Sequence, residues 1–191
     1  DARYYVEDVR KYLVETYGFD KIYKQGFTIK TPINLELQSI ATKSLRQGLE
    51  EYDKRKGWRG PILNKKISNK WNENLKKYKL EKSIDWDLAI VKKISKFHLE
   101  IETEKKKQGK IKYQDASWTK KEFDKIFKKG DVIYVKNIKD NFYSLKQIPK
   151  ANGGIVVLNP YTGRVLAMSG GFSFKQSEFN RATQALRQPG S

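Results

Sequence analysis

Apolar residues recur along this chain in two rhythms, one helical and one alternating. Over residues 4–17, Tyr5, Val9, Leu13 and Tyr17 fall four apart, with Val6 and Tyr12 widening the stripe. That spacing predicts an amphipathic helix, and Gly18 is a natural stop for it. Residues 27–31 alternate instead, Phe27 and Ile29 against Thr28 and Lys30, and read as a short strand that Pro32 ends. Asn34 is placed to cap a second helix of about twenty residues, with Glu36 near its positive end. Leu37, Ile40, Ala41, Leu45, Leu49 and Tyr52 form its apolar stripe, and Gly57 with Gly60-Pro61 closes it. Residues 64–83 are rich in Lys and Asn, with sparse anchors at Ile67, Trp71, Leu75 and Leu80. Trp71 and Leu75, four apart, suggest one more short helix at the entrance to a separate module.

Inside that module the alternating rhythm dominates. Residues 87–94 and 97–102 read as two strands separated only by Ser95-Lys96, which is hairpin spacing. Phe97, Leu99 and Ile101 share one face of the second strand, and His98, Glu100 and Glu102 share the other. Residues 105–109 turn the chain into a third strand at 110–114. Thr119 with Glu122 three positions on has the form of a capping box, and Trp118 is placed to staple onto Phe123. Phe123, Ile126 and Phe127 give the buried stripe of that helix, and Gly130 ends it. Residues 131–136 and 142–148 are strands four and five. Five strands with a helix between the third and fourth is the order of an OB-type barrel. OB barrels often stack single strands on aromatics of strands two and three. Here the wholly apolar Phe97 face reads most simply as barrel interior, with a stacking platform as the alternative. Lys105-Lys106-Lys107 reads as a solvated hairpin tip, with contact to an anionic polymer, lipid or acidic protein as the functional alternative.

The last part of the chain holds two more strand-length runs, Ile155–Leu158 and residues 165–168. Asn159-Pro160-Tyr161-Thr162-Gly163 lies between them and supplies the chemistry of a reversal. Both runs are nearly continuously apolar, so this hairpin is expected inside a sheet covered on both faces, within a larger body. The fold class expected from pattern is α+β, with a five-stranded OB-like barrel set between two other parts.

Composition changes this picture in three ways. No window approaches twenty consecutive apolar residues, so no segment of this sequence is expected to span a bilayer. There is no cysteine and one histidine, His98, which excludes disulfides, thiolate metal sites and histidine metal clusters. The net charge is +18, divided as +3 in residues 1–64, +8 in 65–112, +4 in 113–150 and +3 in 151–191. The excess is mostly lysine, a hydrated point charge suited to diffuse attraction, rather than arginine, the usual fork for phosphates and bases.

The order G-G-x-V-x-L-N-P-x-T-G-x-V-L-A-M, G-G-F-x-F, F-N-R-A-T-Q-A-L-R-Q-P-G-S over residues 153–191 resembles the start of the transpeptidase domain of class A penicillin-binding proteins. The run A-x-Y-x-V-E-x-V-R-x-Y-L-V-E-x-Y-G resembles the segment that leaves their glycosyltransferase domain. T-x-x-x-L-x-L-Q, with the A-x-x-x-L-R-x-G-L that follows, resembles a strand and helix that dock on the transpeptidase. Many Gram-negative members carry an OB-like domain before a Q-I-P-x-x-x-G-G, as here. The resemblance implies a linker helix and strand–helix over 1–64, an OB-like accessory domain over 65–150, and the start of a penicillin-binding/β-lactamase-like transpeptidase core over 151–191. It makes Ser191 the acylated nucleophile, with the Lys three positions on and the later Ser-x-Asn and Lys-Thr-Gly motifs beyond the end of this sequence. The parent is expected to cross-link D-Ala-D-Ala stem peptides and to polymerise glycan strands, without cofactor or metal. The resemblance also implies β-lactam binding, no nucleic acid, and a regulatory protein docked at the OB-like domain. It further implies a place at the bacterial inner membrane, facing the periplasm, held by a segment outside this sequence. By itself the 191-residue chain is expected to be inactive. The rival reading is a stand-alone OB-type module for an anionic polymer or single-stranded nucleic acid.

Overall fold

The computed structural model describes residues 2–186 and 188. In chain order its elements are α1 (Arg3–Tyr17), α2 (Phe19–Lys24), α3 (Leu35–Arg55), β1 (Leu63–Asn64), β2 (Asp87–Ile94), β3 (His98–Thr103), β4 (Gln108–Lys112), α4 (Phe123–Ile126), β5 (Asp131–Lys139), β6 (Phe142–Lys146), β7 (Ile155–Leu158) and β8 (Val165–Ser169). Short 3-10 turns cover Lys76–Tyr78 and Tyr113–Thr119. The chain divides into two compact units, the residues up to Leu49 with those from Ala151 onward, and Glu50–Lys150.

In the first unit α1 buries its N-terminal turn. Tyr4 and Tyr5 are buried, and their hydroxyls donate to the carbonyls of Ser177 and Val165 at 2.7 and 3.0 Å. Toward its C-terminus the expected stripe comes to the surface, and Tyr17 is exposed. Gly18 stops the helix as expected, but the chain re-enters a helix at once as α2. The strand expected at residues 27–31 does not form. The segment alternates, yet no neighbouring strand pairs with it; three residues beyond it the Asn34 N–H donates to the Leu166 carbonyl at 2.8 Å. Asn34 caps α3 through its side-chain oxygen, which accepts from the Leu37 N–H at 3.0 Å. One turn later the buried Gln38 side chain behaves like a strand residue. Its amide donates to the Met168 carbonyl and its oxygen accepts from the Met168 N–H, both at 2.9 Å. β7 and β8 pair antiparallel, Val156 opposite Met168 and Val157 opposite Ala167. Asn159 Oδ1 holds the reversal by accepting from the Tyr161 and Thr162 N–H groups. The two strands are covered unequally. Ala167, Met168 and Ser169 bury both faces of β8 at its end, as expected, whereas β7 has no buried residue and Val156 and Leu158 stand 41% and 54% exposed, against the expected burial on both faces.

The second unit is a closed barrel. β2, β3 and β4 follow one another antiparallel, β5 pairs with β2, and β6 joins β5 antiparallel to β4 parallel, through Lys110 and Phe142, closing the ring. The interior is filled by Val91, Leu99, Ile101, Ile111, Ile133, Val135 and Leu145, plugged at one end by Phe123 and Phe127. A second apolar layer lies outside the barrel wall. Trp71 and Leu75, each 1% exposed, cover Leu88, Ile90, Val132 and Tyr134. That double coverage explains why β2 and β5 carry unbroken apolar runs. The expected helix around Trp71 is absent; irregular turns and the 3-10 turn at Lys76–Tyr78 present the two side chains instead.

Two further expectations are corrected. Phe97 lies in the turn before β3, 61% exposed, edge-on to Tyr113, whereas Leu99 and Ile101 are fully buried. Alternation places a residue only while it belongs to the strand, and the Ser95 hydroxyl takes over the turn by bonding the His98 N–H at 3.1 Å. The Thr119–Glu122 capping box does not form either. Thr119 is buried at the end of a 3-10 turn, and Lys120 at φ +58° redirects the chain. Glu122 is itself the cap residue of the short α4, its carboxylate held by Lys96 and Lys125 at 2.8 and 2.7 Å. The Lys96 carbonyl accepts from the first helical N–H, that of Phe123, at 3.5 Å. Trp118 packs edge-on to Trp58 and against the cluster that contains Phe123.

Candidate functional site

The expected nucleophile, Ser191, lies outside the described residues. What is described is the path toward it. β8 ends at Ser169, and Gly170 and Gly171 let the following loop close over the hairpin. A Cβ on Gly170 would meet Asn180 backbone at 2.6 Å, and one on Gly154 would meet the Ala182 backbone at 2.8 Å. Asn180, 2% exposed, organises this approach. Its Oδ1 accepts from the Ala182 N–H at 3.1 Å, and its own N–H donates to Gln184 Oε1 at 2.8 Å. Its carbonyl accepts from the Gln184 N–H at 2.7 Å, so the two residues bond each other twice. Arg181 adds backbone contacts, donating to the carbonyls of Phe179 and Gly170 at 3.0 and 3.3 Å. The Phe172 N–H donates to Asn152 Oδ1 at 2.9 Å, and the Arg46 guanidinium donates to the Phe172 carbonyl at 2.8 Å. The result is a lead-in ordered by the side-chain amides of Asn152, Asn180 and Gln184 together with the guanidinium groups of Arg46 and Arg181. Sequence reading quoted F-N-R-A-T as a string and missed Asn180 as its keystone; the available signal was an Asn four before a Gln, an arrangement suited to mutual capping.

In the barrel unit the three lysines of the hairpin tip are exposed, as expected, and two of them are paired. Lys105 pairs with Asp87 at 2.6 Å, which raises its pKa, and Lys106 reaches the Asn69 carbonyl and lies 3.7 Å from Glu102. Glu102 joins the outer strap to the barrel. It accepts from Trp71 Nε1 at 2.7 Å and Gln108 Nε2 at 2.9 Å, and pairs with Lys92 at 3.3 Å. Burial pushes its carboxyl up, but hydrogen bonds from Trp71, Gln108 and Lys92 outweigh that and hold it below the ordinary value. Asp53 follows the same logic, with Arg59, Gln147 and the Lys150 N–H overcoming burial. Beside it a cleft of about 300 Å³ is lined by Trp58, Arg59, Tyr78, Tyr134 and Lys146. Its cations are matched within 2.8 Å, Arg59 by Asp53 and Lys146 by Glu50. Burial, with Tyr78 adding, pushes the Tyr134 hydroxyl up to about 12, and it donates to the Tyr78 carbonyl at 2.7 Å. The sequence-predicted aromatics Phe97 and Tyr113 meet edge-to-face at 6.3 Å, and His98 is exposed with Nδ1 2.5 Å from the Ser95 hydroxyl. Among the described residues no group of His, Asp and Glu is arranged to hold a metal ion.

The family described as the penicillin-binding protein OB-like domain matches residues 58–151. Penicillin-binding protein 1A of Rickettsia prowazekii is 43% identical over the whole of this chain, which covers 24% of that protein. Penicillin-binding protein 1A of Rickettsia felis is 42% identical, with the same coverage on both sides. The chain thus spans about a quarter of the length of the curated relatives it matches. The crystal structure of penicillin-binding protein 1A from Haemophilus influenzae superposes with a TM-score of 0.81 at 32% identity, over 98% of this chain and 28% of that one. This chain belongs to the class A penicillin-binding proteins, and residues 58–151 match their OB-like domain.

Proposed function

We propose that this chain is part of a peptidoglycan synthase in which Ser191 is the transpeptidase nucleophile. The observation that carries the reading is an overall identity of 43% to a penicillin-binding protein 1A in an alignment that spans the whole chain. In the proposed reaction Ser191 Oγ attacks the carbonyl of the penultimate D-Ala of a stem peptide. Its proton passes to a neighbouring base, the terminal D-Ala leaves as the amine, and an ester remains on the serine. An amine from a neighbouring strand then attacks that ester, forms the cross-link and returns the hydroxyl. Serine is a weak nucleophile at neutral pH, so the step needs a base and an oxyanion hole. The role of this chain's own described residues is to hold the approach: Asn180, Arg181 and Gln184 fix the loop that leads toward Ser191. β-Lactams enter the same ester chemistry as substrate mimics. The protein works at the inner membrane facing the periplasm and also polymerises glycan strands through a domain outside this sequence, while the OB-like unit serves interaction rather than chemistry.

The test is fluorescent-penicillin labelling of the whole protein. Covalent label is expected on the parent and none on Ser191→Ala, with peptide mass mapping placing the adduct on the peptide that contains Ser191. An unlabelled parent, or a Ser191→Ala protein that labels like the parent, defeats the assignment.

A further inference from the structure

The Glu50–Lys150 unit holds 28 of the 40 basic residues and 15 of the 22 acidic ones, so it carries +13 of the net +18. Where that excess sits is visible only once the ion pairs are assigned. At the β3–β4 end Lys105 and Lys106 are neutralised by Asp87 and Glu102, and at the β2–β3 end Lys93 and Lys96 by Glu100 and Glu122. Across the seam that closes the barrel the pattern reverses. Lys110 and Lys112 of β4 and Lys136 and Lys139 of β5 are exposed, and among the described residues none of the four has a carboxylate partner.

They converge on one half-buried residue of β6. Phe142 lies opposite Lys110 on one side and Lys139 on the other, each one strand away, and Lys112 Nζ sits 4.3 Å above its ring. Lys136 lies across from Ser144, two residues along the same face. Ile111 between the β4 lysines, and Tyr143 after Phe142, are buried, which sets Lys110 and Lys112 outward; Lys136 and Lys139 are exposed on β5. The acidic groups nearby are few. Glu100 lies opposite Lys110 but is engaged by Lys93 at 3.2 Å, and Asp140 sits at the β5–β6 turn.

We propose that this β4–β6–β5 face binds the carboxylate-bearing peptide side chains of the cell-wall polymer, an inference that rests on the peptidoglycan-synthase reading above. The face contains no arginine, and separate ammonium groups strand-widths apart suit single carboxylates spaced along a polymer better than the bidentate forks of phosphates. Stacking of nucleic-acid bases is disfavoured because the Phe142 ring is already covered by Lys112. The recess beside Lys110 is small, about 160 Å³, and is lined by Glu100, Gln108, Gly109 and Asn141 rather than by apolar side chains, so the surface tracks a polymer without selecting one terminus. It therefore keeps the barrel near the strands while cross-linking proceeds elsewhere.

The experiment is co-sedimentation of the 191-residue chain with insoluble cell-wall sacculi, either intact or with their carboxyls capped as amides. Intact sacculi are expected to retain the chain at low ionic strength and to release it as salt rises, and amide-capped sacculi to retain about tenfold less. Changing Lys110, Lys112, Lys136 and Lys139 together to Gln should lower retention about tenfold or more, and changing the same four to Arg should preserve it. Changing four exposed lysines of the outer strap, Lys66, Lys76, Lys77 and Lys82, to Gln removes the same charge and should cost no more than about twofold. The proposal is overturned if amide-capped sacculi bind equally, if the face variant binds like the parent, if the Arg version fails too, or if the strap variant loses as much. It is equally overturned if anionic vesicles or an oligonucleotide are held through the same lysines at the same salt. Penicillin labelling at Ser191 is scored separately, so a failed face and a failed enzyme assignment give different results.

Discussion

At the scale of single residues, Glu102 shows how one carboxylate fastens an irregular segment to a barrel. Its side chain, 12% exposed, receives the Trp71 indole N–H, the Gln108 amide and Lys92. Because these partners hold its pKa below the ordinary value of 4.5, the folded state binds its proton more weakly than the unfolded chain does. The stabilisation is therefore fully present above that value and is lost as pH falls through the depressed folded one. Glu102→Gln keeps the shape, removes the charge and turns an amide toward Lys92, and should cost about 1–3 kcal/mol at neutral pH. The difference from the parent should shrink steadily below about pH 4.5, as the parent's own carboxyl is protonated. Trp71→Ala, which empties a fully buried site, should cost about 3–5 kcal/mol, and part of that cost should persist in acid. Urea unfolding at neutral and acid pH separates the two; a Glu102→Gln deficit that stays constant with pH contradicts the role given to the charge.

At the scale of elements, the start of α3 sets a local cap beside a long-range one. Asn34 closes an exposed helix end, and Asn34→Ala should cost about 1 kcal/mol. Gln38 is buried and satisfies both backbone groups of Met168, so Gln38→Leu leaves a buried N–H and a buried C=O without that partner. That should cost about 2–4 kcal/mol and speed hydrogen exchange at the Met168 amide, which Asn34→Ala should leave near the parent rate. Equal exchange in the two variants contradicts the bridging role. The contrast also marks what sequence could tell. Asn34 was legible because its bond runs three residues along the chain, as were β2, the β7–β8 hairpin and the order of the barrel strands, which rest on local period and turn chemistry. Gln38 was not, since its partner is 130 residues away. Residues 27–31 alternate as a strand does, but period does not reveal whether a neighbour offers hydrogen bonds. Thr119 and Glu122 have the spacing of a cap, yet Lys96, brought in by the β2–β3 turn, takes both the Glu122 carboxylate and the Phe123 N–H. The candidate site divides the same way. Ser191 was named from a motif, whereas the organising role of Asn180 depends on contacts that the motif does not display. The free lysines of the barrel seam emerge only after the paired ones are set aside.

At the scale of the molecule, two units share the charge unequally, and the barrel unit must fold against its own. It has the means to do so alone: a closed ring of strands without a free edge in its wall, an interior cluster from Ala89 to Leu145, and the Trp71–Leu75 layer outside. With 28 cations facing 15 anions, repulsion among the unpaired lysines opposes compaction, while exposed pairs such as Lys93–Glu100 contribute little. Salt weakens both effects, and since the unpaired cations outnumber the anions' share, the net change should be stabilising. The excised Glu50–Lys150 piece is therefore expected to melt in one cooperative transition. Raising salt from low to physiological ionic strength should lift its midpoint by roughly 5 °C, the shift that about 1 kcal/mol produces in a domain of this size. Converting Lys110, Lys112, Lys136 and Lys139 to Gln should raise the low-salt midpoint and flatten the salt response, because it removes four exposed cations that have no carboxylate partner among the described residues. A midpoint that falls with added salt would mean that the ion pairs, not the excess, govern this barrel, and that its lysine face is no more strained electrostatically than the rest of its surface.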